Sequence, residues 1–439
     1  MRAGTPAVNK AAVSAAAAPS PAGRYRWRIC GLLFFVTTLI YLDRQVLGVL
    51  APALQRVIGW NEIQYGNIVT AFQAAYALGL LLSGRFIDRV GTRIGYALAI
   101  GLWTFATLGQ SLARTVLAFA AARFVLGLAE APNFPAAIKT VAEWFPRRER
   151  ALSTGVFNSG ANIGAIVAPL TAPWIAVHWG WPWAFVSMAA IGLVWVALWV
   201  RTYRRPHRHP RVSSAELNYI QSEPAEAAVP LPWLKLLPHR QTWAFVMGKF
   251  LTDPVWWFFL YWLPKFLNSR FGLTLTALGW PLVVVYTMSM AGSIAGGWLS
   301  ARLLKRGWSL NAARKTAMLT CALAVLPIVF AATVRNVWIA VALLGLAAAS
   351  HQGWSANLFT MVPDMFPKRA VGSVVGIGGF GGAISSMLSA AFTGLVLQIT
   401  GNYFPMFVIA GSAYLVALLV VHLLAPRLSP ARVEEAVRA

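Results

Sequence analysis

Gly84-Arg-Phe-Ile-Asp-Arg-Val-Gly-Thr-Arg93 carries four charges in ten residues and lies between two long apolar runs, 65–84 and 94–112. Each run has the ~20 residues that a helix needs to cross a bilayer, so the charged decapeptide reads as a turn at a membrane surface. A weaker copy, Gly297-Trp-Leu-Ser-Ala-Arg-Leu-Leu-Lys-Arg-Gly307, follows the run 277–301. A second pair repeats alongside the first: Trp144-Phe-Pro-Arg-Arg148 and Met365-Phe-Pro-Lys-Arg369. The offsets are 213 residues (84 to 297) and 221 (144 to 365). Two such close spacings point to one internal duplication with small length changes.

Working outward from that turn, apolar runs recur at 27–53, 65–84, 94–112, 115–144, 150–176, 181–201, 243–267, 277–301, 314–333, 336–363, 371–397 and 403–425. The chain is 58% apolar and 11% charged, against about a quarter charged in soluble domains. That excludes a soluble globular protein, a disordered chain and a collagen. Cys30 and Cys321 both sit in apolar runs and frame no disulfide scaffold. The expected fold is an all-α integral membrane protein with twelve transmembrane helices in two pseudo-symmetric six-helix bundles. Such a duplication places a substrate site near the midplane, where the repeats meet.

The net charge of +24 suggests nucleic acid until the charges are located. Of the 37 basic residues, 28 fall in the termini and the even-numbered turns, and only Arg56, Arg114, Arg270 and Arg335 fall in the opposite turns. This asymmetry is the positive-inside pattern, with both termini cytoplasmic in a multi-pass protein. No nucleic-acid partner is expected, and the charge reports topology in contact with membrane lipid.

The expected organisation is a disordered cytoplasmic tail (1–23), a first bundle (24–201), a cytoplasmic linker (202–240), a second bundle (241–425) and a C-terminal tail (426–439). The tail is Ala-rich with scattered prolines, a composition without a core. The apolar run after it is too long for a cleavable signal.

Residues 84–93 resemble the loop signature of the major facilitator superfamily, Gly-x-x-x-Asp-Arg-x-Gly-x-[Arg/Lys]. The resemblance implies a cytoplasmic conformational latch built from Gly84, Asp88, Arg89, Gly91 and Arg93, made in one state of a rocking equilibrium and lost in the other. Tyr41-Leu-Asp-Arg44, Gly127-Leu-Ala-Glu-Ala-Pro-Asn-Phe-Pro135 and Phe157-Asn-Ser-Gly-Ala-Asn162 resemble the anion:cation symporter branch, which takes up organic anions with protons or sodium. Lys249-Phe-Leu-Thr-Asp-Pro-Val-Trp-Trp257, His351-Gln-Gly-Trp-Ser-Ala-Asn357 and Asp364-Met-Phe-Pro-Lys-Arg-Ala-Val-Gly-Ser-Val-Val-Gly376 resemble the bacterial hexuronate transporters. Aldonate-carrying relatives have a polar residue where Ala161 stands, so their ligand contacts are not carried over whole.

The charged residues can be weighed on their own. Of 13 acidic residues, Asp43, Glu130 and Asp253 fall near mid-span, where a charge costs at least ~2.5–3.5 kcal/mol. Asp43 and Arg44 are adjacent, about 100° apart on a helix, so they cannot point the same way. Glu130 lies seven residues after Arg123, on the same face, and Pro132 and Pro135 should bend the helix beyond it. Burial favours the protonated carboxyl and a nearby cation the ionised one, so a buried acid can load and release a proton. Glu130 and Asp43 are the proton-coupling candidates, Glu130 first because Asp43 has Arg44 beside it; structural ion pairing is the competing role for each. Asp253 precedes Pro254, and either a functional charge or a cap on a broken helix fits it. Lys139 and Lys249 read as snorkelling lysines.

Arg44 is the candidate for a substrate carboxylate, because guanidinium binds carboxylate through two parallel hydrogen bonds; neutralising a neighbouring acid is its alternative role. Tyr41, Gln73, Tyr76, Asn158, Asn162, Gln352, Ser355 and Asn357 offer polar partners for hydroxyls, and Trp256, Trp257, Tyr261 and Trp354 offer ring faces. Part of this set is equally suited to holding helices together.

Gly376-Ile-Gly-Gly-Phe-Gly381 has dinucleotide-loop spacing but no preceding strand, so close helix packing explains it. His207-Arg-His209 lacks further ligands for a metal, no P-loop is present, and no cofactor is expected. The reading is a non-enzymatic bacterial inner-membrane transporter, expected as a monomer, importing a hexuronate (galacturonate or glucuronate) with protons by alternating access. Import of another organic anion such as an aldonate or aromatic carboxylate, or export of a solute, is the alternative.

Overall fold

A computed structural model describes residues 23–222 and 233–431; the N-terminal tail to residue 22, residues 223–232 of the linker, with Glu223 and Glu226, and 432–439 lie outside the described residues. The described chain is almost wholly helical. In order it forms α1 (Tyr25–Ile58), α2 (Glu62–Val90), α3 (Thr92–Leu112), α4 (Val116–Glu130), α5 (Asn133–Trp144), α6 (Arg147–Trp179), α7 (Trp181–Thr202) and α8 (Ser214–Ile220). It continues with α9 (Trp233–Leu236), α10 (Arg240–Tyr261), α11 (Leu263–Phe271), α12 (Gly279–Lys305), α13 (Leu310–Val325), α14 (Val337–Met365), α15 (Lys368–Thr400) and α16 (Phe404–Leu424). Short 3-10 segments occupy Pro206–Arg208 and Leu326–Ala332.

Every apolar run of the sequence falls on one of these helices or on a broken pair. Ten of the segments are long and apolar enough to cross a membrane by length and composition. The other two runs correspond to α3 and α10, and α10 carries Lys249 and Asp253 in its interior. The helices overrun the expected spans: α1 reaches from Tyr25 to Ile58, where Gly59 turns the chain in the left-handed conformation (φ 78°). Asn61 and Gln64 then start α2 with a reciprocal capping box.

Two local features matter for the site. The expected bend after Glu130 is a two-residue interruption: α4 ends at Glu130, and Ala131 and Pro132, both still in the right-handed helical region, lead into α5, with Pro132 lacking a backbone donor. By contrast α10 runs straight through Pro254, so Asp253 lies inside a continuous helix and caps nothing.

Small residues set the closest contacts. A side chain at Gly127 would strike the backbone of α2 at Phe72, and one at Gly292 the backbone of α14 at Ala349. Gly378 and Gly381 lie against Phe245 and Val246 of α10. The Gly-rich 376–381 stretch is therefore a packing surface, as its place in an apolar run implies.

The helices of the two repeats pair in similar ways. α1 packs on α6 and α2 on α4 in the first repeat, and α10 on α15 and α12 on α14 in the second, while α2–α15 and α6–α12 join the repeats. Buried apolar residues form two cores. One draws only on residues between Tyr25 and Tyr203; the other combines the far ends of α1, α2, α6 and α7 with the second repeat. The repeats thus share a core at the end remote from the chain termini. Polar links gather at that same end: Lys265 Nζ donates to both Glu62 oxygens at 2.7 Å, Glu62 N donates to Gln398 (3.0 Å), and Tyr65 Oη donates to the Tyr261 carbonyl (2.8 Å).

At the terminal end, the linker docks on the first repeat. Arg26 bridges Glu149 of α6 (2.8 Å) and Glu216 of α8 (3.3 Å), and Glu216 also accepts from the Arg26 backbone N. His209 packs against the rings of Tyr25 and Trp144; its Nε2 faces the Thr202 carbonyl (3.0 Å) and its Nδ1 accepts from Arg211 N (3.1 Å).

Candidate transport site

The midplane of the first repeat concentrates its buried charge. Asp43 and Arg44 of α1, and Arg123 and Glu130 of α4, are all at most 4% exposed. Arg44 Nε donates to Glu130 Oε2 at 2.6 Å. The guanidinium carbon of Arg44 lies 4.8 Å from the Tyr41 ring centre, 4.9 Å from Tyr76, 5.7 Å from Phe72 and 5.1 Å from Trp257. Four aromatic faces around one cation are individually worth about 0.5–2 kcal/mol and together fix the plane of the guanidinium. Among the described residues only Nε of Arg44 is hydrogen-bonded, leaving the two terminal nitrogens without a protein partner.

The second cation is held differently. Arg123 Nη2 donates to Tyr261 Oη (2.6 Å), and its guanidinium lies 4.4 Å from the Phe72 ring centre. Its Nε and Nη1 have no protein partner, and neither do both oxygens of Asp43 and Oε1 of Glu130. Buried polar atoms without partners are costly, so this cluster stores its free hydrogen-bonding capacity at one place. Trp103 of α3 completes it, lying beside both Asp43 and Glu130. The break after Glu130 leaves that residue at the last turn of α4.

Other sequence candidates fall in three places. Tyr41, Tyr76 and Trp257 form the aromatic box, with Tyr261 stacked on Trp257 (5.8 Å between centres) as the support for Arg123. Gln73 is fully buried next to Phe72 with its amide unpartnered. Asn158 and Asn162 lie one turn apart on α6, exposed and half-buried, and Gln352 and Ser355 are half-buried on α14. Trp354 and Asn357 are placed otherwise. Trp354 is fully buried, edge-on to Tyr414 (5.5 Å), and Asn357 Nδ2 donates to the carbonyls of Gly296 and Gly353 (both 2.9 Å), tying α14 to α12. Both sit in the wall of the second repeat, away from Arg44. Arg123, Trp103 and Phe72 had no assigned role in the sequence. The only signal was the seven-residue spacing of Arg123 from Glu130.

At the turn after α2, Asp88 accepts from Lys139 of α5 (2.7 Å), so Lys139 has a partner within the first repeat instead of snorkelling. Arg93 donates to the Val200 carbonyl (2.6 Å), Arg89 and Gly84 are exposed, and Gly91 turns the chain at φ 84°. Lys249 likewise pairs with Asp253, at 2.8 Å on one face of α10.

Residues 33–360 match the Major Facilitator Superfamily. The chain belongs to that superfamily. It is a multi-pass membrane transporter and not an enzyme. Among curated superfamily members it is 30% identical to a D-galactonate transporter of Escherichia coli O6:H1 (86% of this chain, 90% of that one). It is 30% identical to a probable galactarate/D-glucarate transporter of Bacillus subtilis (92% and 93%), and 29% identical to the hexuronate transporter of Escherichia coli K12 (90% and 93%). Among solved superfamily structures, a D-xylose-proton symporter superposes with a TM-score of 0.72 at 15% identity, over 91% of this chain and 97% of that one, a likeness of fold.

Proposed function

We propose that this transporter imports a hexuronate together with protons across a bacterial inner membrane, with both termini cytoplasmic. The carrying observation is Arg44: a buried arginine, its plane fixed by four rings and its terminal nitrogens unengaged, is built to take a carboxylate in a two-pronged contact. The names of the relatives support a sugar-acid anion as its ligand. An aldonate offers the same carboxylate and hydroxyls, and the galactonate relative keeps it as the second reading.

Charge balance supplies the coupling. Asp43 and Glu130 against Arg44 and Arg123 sum to zero when both acids are ionised. An incoming anion leaves the buried cluster one negative charge in excess, and one proton restores neutrality, so anion and proton load together in a medium where net charge is expensive. Asp43, whose oxygens have no protein partner, is the second acid able to take that one proton. Glu130, bonded to Arg44, is displaced when a substrate carboxylate claims that guanidinium, and protonation then relieves its lost partner. The membrane potential does not drive this neutral loading step, whereas the proton gradient does.

The bundles 24–201 and 241–425 are the rocking bodies in this reading. Their shared core lies at the end remote from the termini; with that end periplasmic, as the basic turns suggest, a closed periplasmic end corresponds to an inward-facing state. Reconstituted protein given an acid exterior should accumulate galacturonate or glucuronate and leave neutral sugars behind. Equal uptake of neutral sugars, or uptake indifferent to the pH gradient, overturns the proposal.

A further inference from the structure

Lys249 and Asp253 are the two mid-membrane charges that the Arg44 cluster does not use. They pair at 2.8 Å, and the Lys249 side chain is 10% exposed and that of Asp253 20%, more open than any of the four charges around Arg44. Lys249 Nζ also lies 4.7 Å from the Phe359 ring centre, on α14. On α15 a side chain at Gly382 would occupy the space of the Asp253 carboxylate; α15 has a glycine where that carboxylate must lie. The Asp253 carboxylate is close enough to Tyr41, a wall of the Arg44 box, for their charges to interact weakly. The other titratable groups facing the pair are His351, stacked on Trp256 (5.4 Å), and its partner Tyr414.

Residues 249, 253 and 257 follow at i, i+4 and i+8, on one face of α10. Trp257 stands over Arg44, and Asp253 is one turn away, about 6 Å along the axis. A six-carbon chain whose carboxylate sits on Arg44 therefore brings its far end to the Lys249–Asp253 pair. The pair offers ammonium donors and carboxylate acceptors side by side. Adjacent hydroxyls, which both donate and accept, match it. A second carboxylate does not: it would approach Asp253 as a like charge, and it would add a negative charge that one proton cannot balance.

We propose that the Lys249–Asp253 pair is the subsite for the hydroxylated end of the substrate and makes this a site for sugar monocarboxylates that discriminates against dicarboxylates. The inference rests on the sugar-acid reading of Arg44 and adds the substrate class. It is a specificity assignment within that site, and the relatives include carriers named for monocarboxylates and for dicarboxylates.

Competition binding to the purified full-length protein tests it, with galacturonate, galactarate and glycolate, a short acid that reaches only Arg44. The wild-type protein is expected to bind galacturonate at least tenfold more tightly than galactarate. Asp253→Asn should weaken galacturonate and strengthen galactarate, narrowing that ratio tenfold or more, while glycolate affinity moves less than twofold. Lys249→Gln should weaken both sugar acids and spare glycolate. Wild-type protein that binds galactarate as tightly as galacturonate overturns this inference and leaves the sugar-acid reading standing, and that arm needs no variant to fold. An unchanged ratio in a folded Asp253→Asn protein also overturns it. Wild-type protein that binds neither sugar acid overturns both readings.

Discussion

In the proposed reading Arg44 is the residue on which binding turns, and its environment says what kind of substitution it tolerates. Lysine would keep the charge but lose the planar fork and most of the contact with Tyr41, Tyr76 and Trp257. Losing a charge-assisted hydrogen bond costs about 1.5–3 kcal/mol, so Arg44→Lys should weaken galacturonate binding roughly 10- to 100-fold while leaving expression intact. Ligand-induced thermal stabilisation measures this, and an unchanged affinity would take Arg44 out of the carboxylate site. Arg44, Asp43 and Glu130 were legible in the sequence because a charge inside an apolar run announces itself. The aromatic box was less so, because Phe72, Tyr76 and Trp257 come from two helices far apart in the chain and nothing in their local spacing brings them to one cation. The pairing of Lys249 with Asp253 was hidden for the opposite reason. Each alone suggests a snorkelling or capping role, and only the unbroken course of α10 through Pro254 shows them paired.

At the scale of elements, the sequence placed the apolar runs and the disruption after Glu130, but not whether Pro132 bends or ends the helix. That depends on what replaces the lost backbone bonds, and residues 131–132 form a turn that lets α5 set off anew. The α2–α4 contact that holds this segment depends on Gly127, which lies against the Phe72 backbone. Gly127→Val should cost about 1–3 kcal/mol of stability by overpacking and disturb Phe72 and hence both arginines; a melting temperature equal to wild type would contradict the contact. The linker makes a separate prediction. Burial holds the His209 imidazole below the ordinary histidine value, with Arg204 and Arg211 acting in the same direction and Glu216 and the Thr202 carbonyl against it. The docked histidine stays neutral where a released one would protonate, so docking is strongest above pH ~6.5 and weakens as pH falls below it. Hydrogen exchange in residues 206–220 should therefore quicken at pH 5.5 relative to pH 7.5, after correction for intrinsic rates, and His209→Gln should abolish the difference.

For the whole molecule, the links between repeats among the described residues gather at one end, which is the basis for reading the state as inward-facing. Glu62–Lys265 and Tyr65–Tyr261 close one end, while at the other Asp88 is engaged with Lys139 inside its own repeat. Lys265→Ala should raise labelling of a cysteine placed behind the Glu62–Lys265 link by about fivefold, the population shift expected for roughly 1 kcal/mol. Asp88→Asn, which loosens the turn on the other side, should leave that site protected and favour the inward-facing state; labelling from both sides equal to the parent would sink the latch. The duplication and the basic turns were readable in the sequence. The choice of open end was not, since both states satisfy the same apolar pattern and differ only in which contacts between repeats are made.

Coupling through Glu130 is the central claim, and Glu130→Gln tests it most directly. Glutamine keeps the shape of a protonated glutamate and cannot release a proton. Galacturonate counterflow and pH-gradient-driven accumulation should be measured in the same liposomes. Counterflow is predicted to persist, because exchange needs no net proton movement, and accumulation to fall to background. Accumulation at the wild-type level in Glu130→Gln would contradict the account and move the coupling proton to Asp43 or beyond.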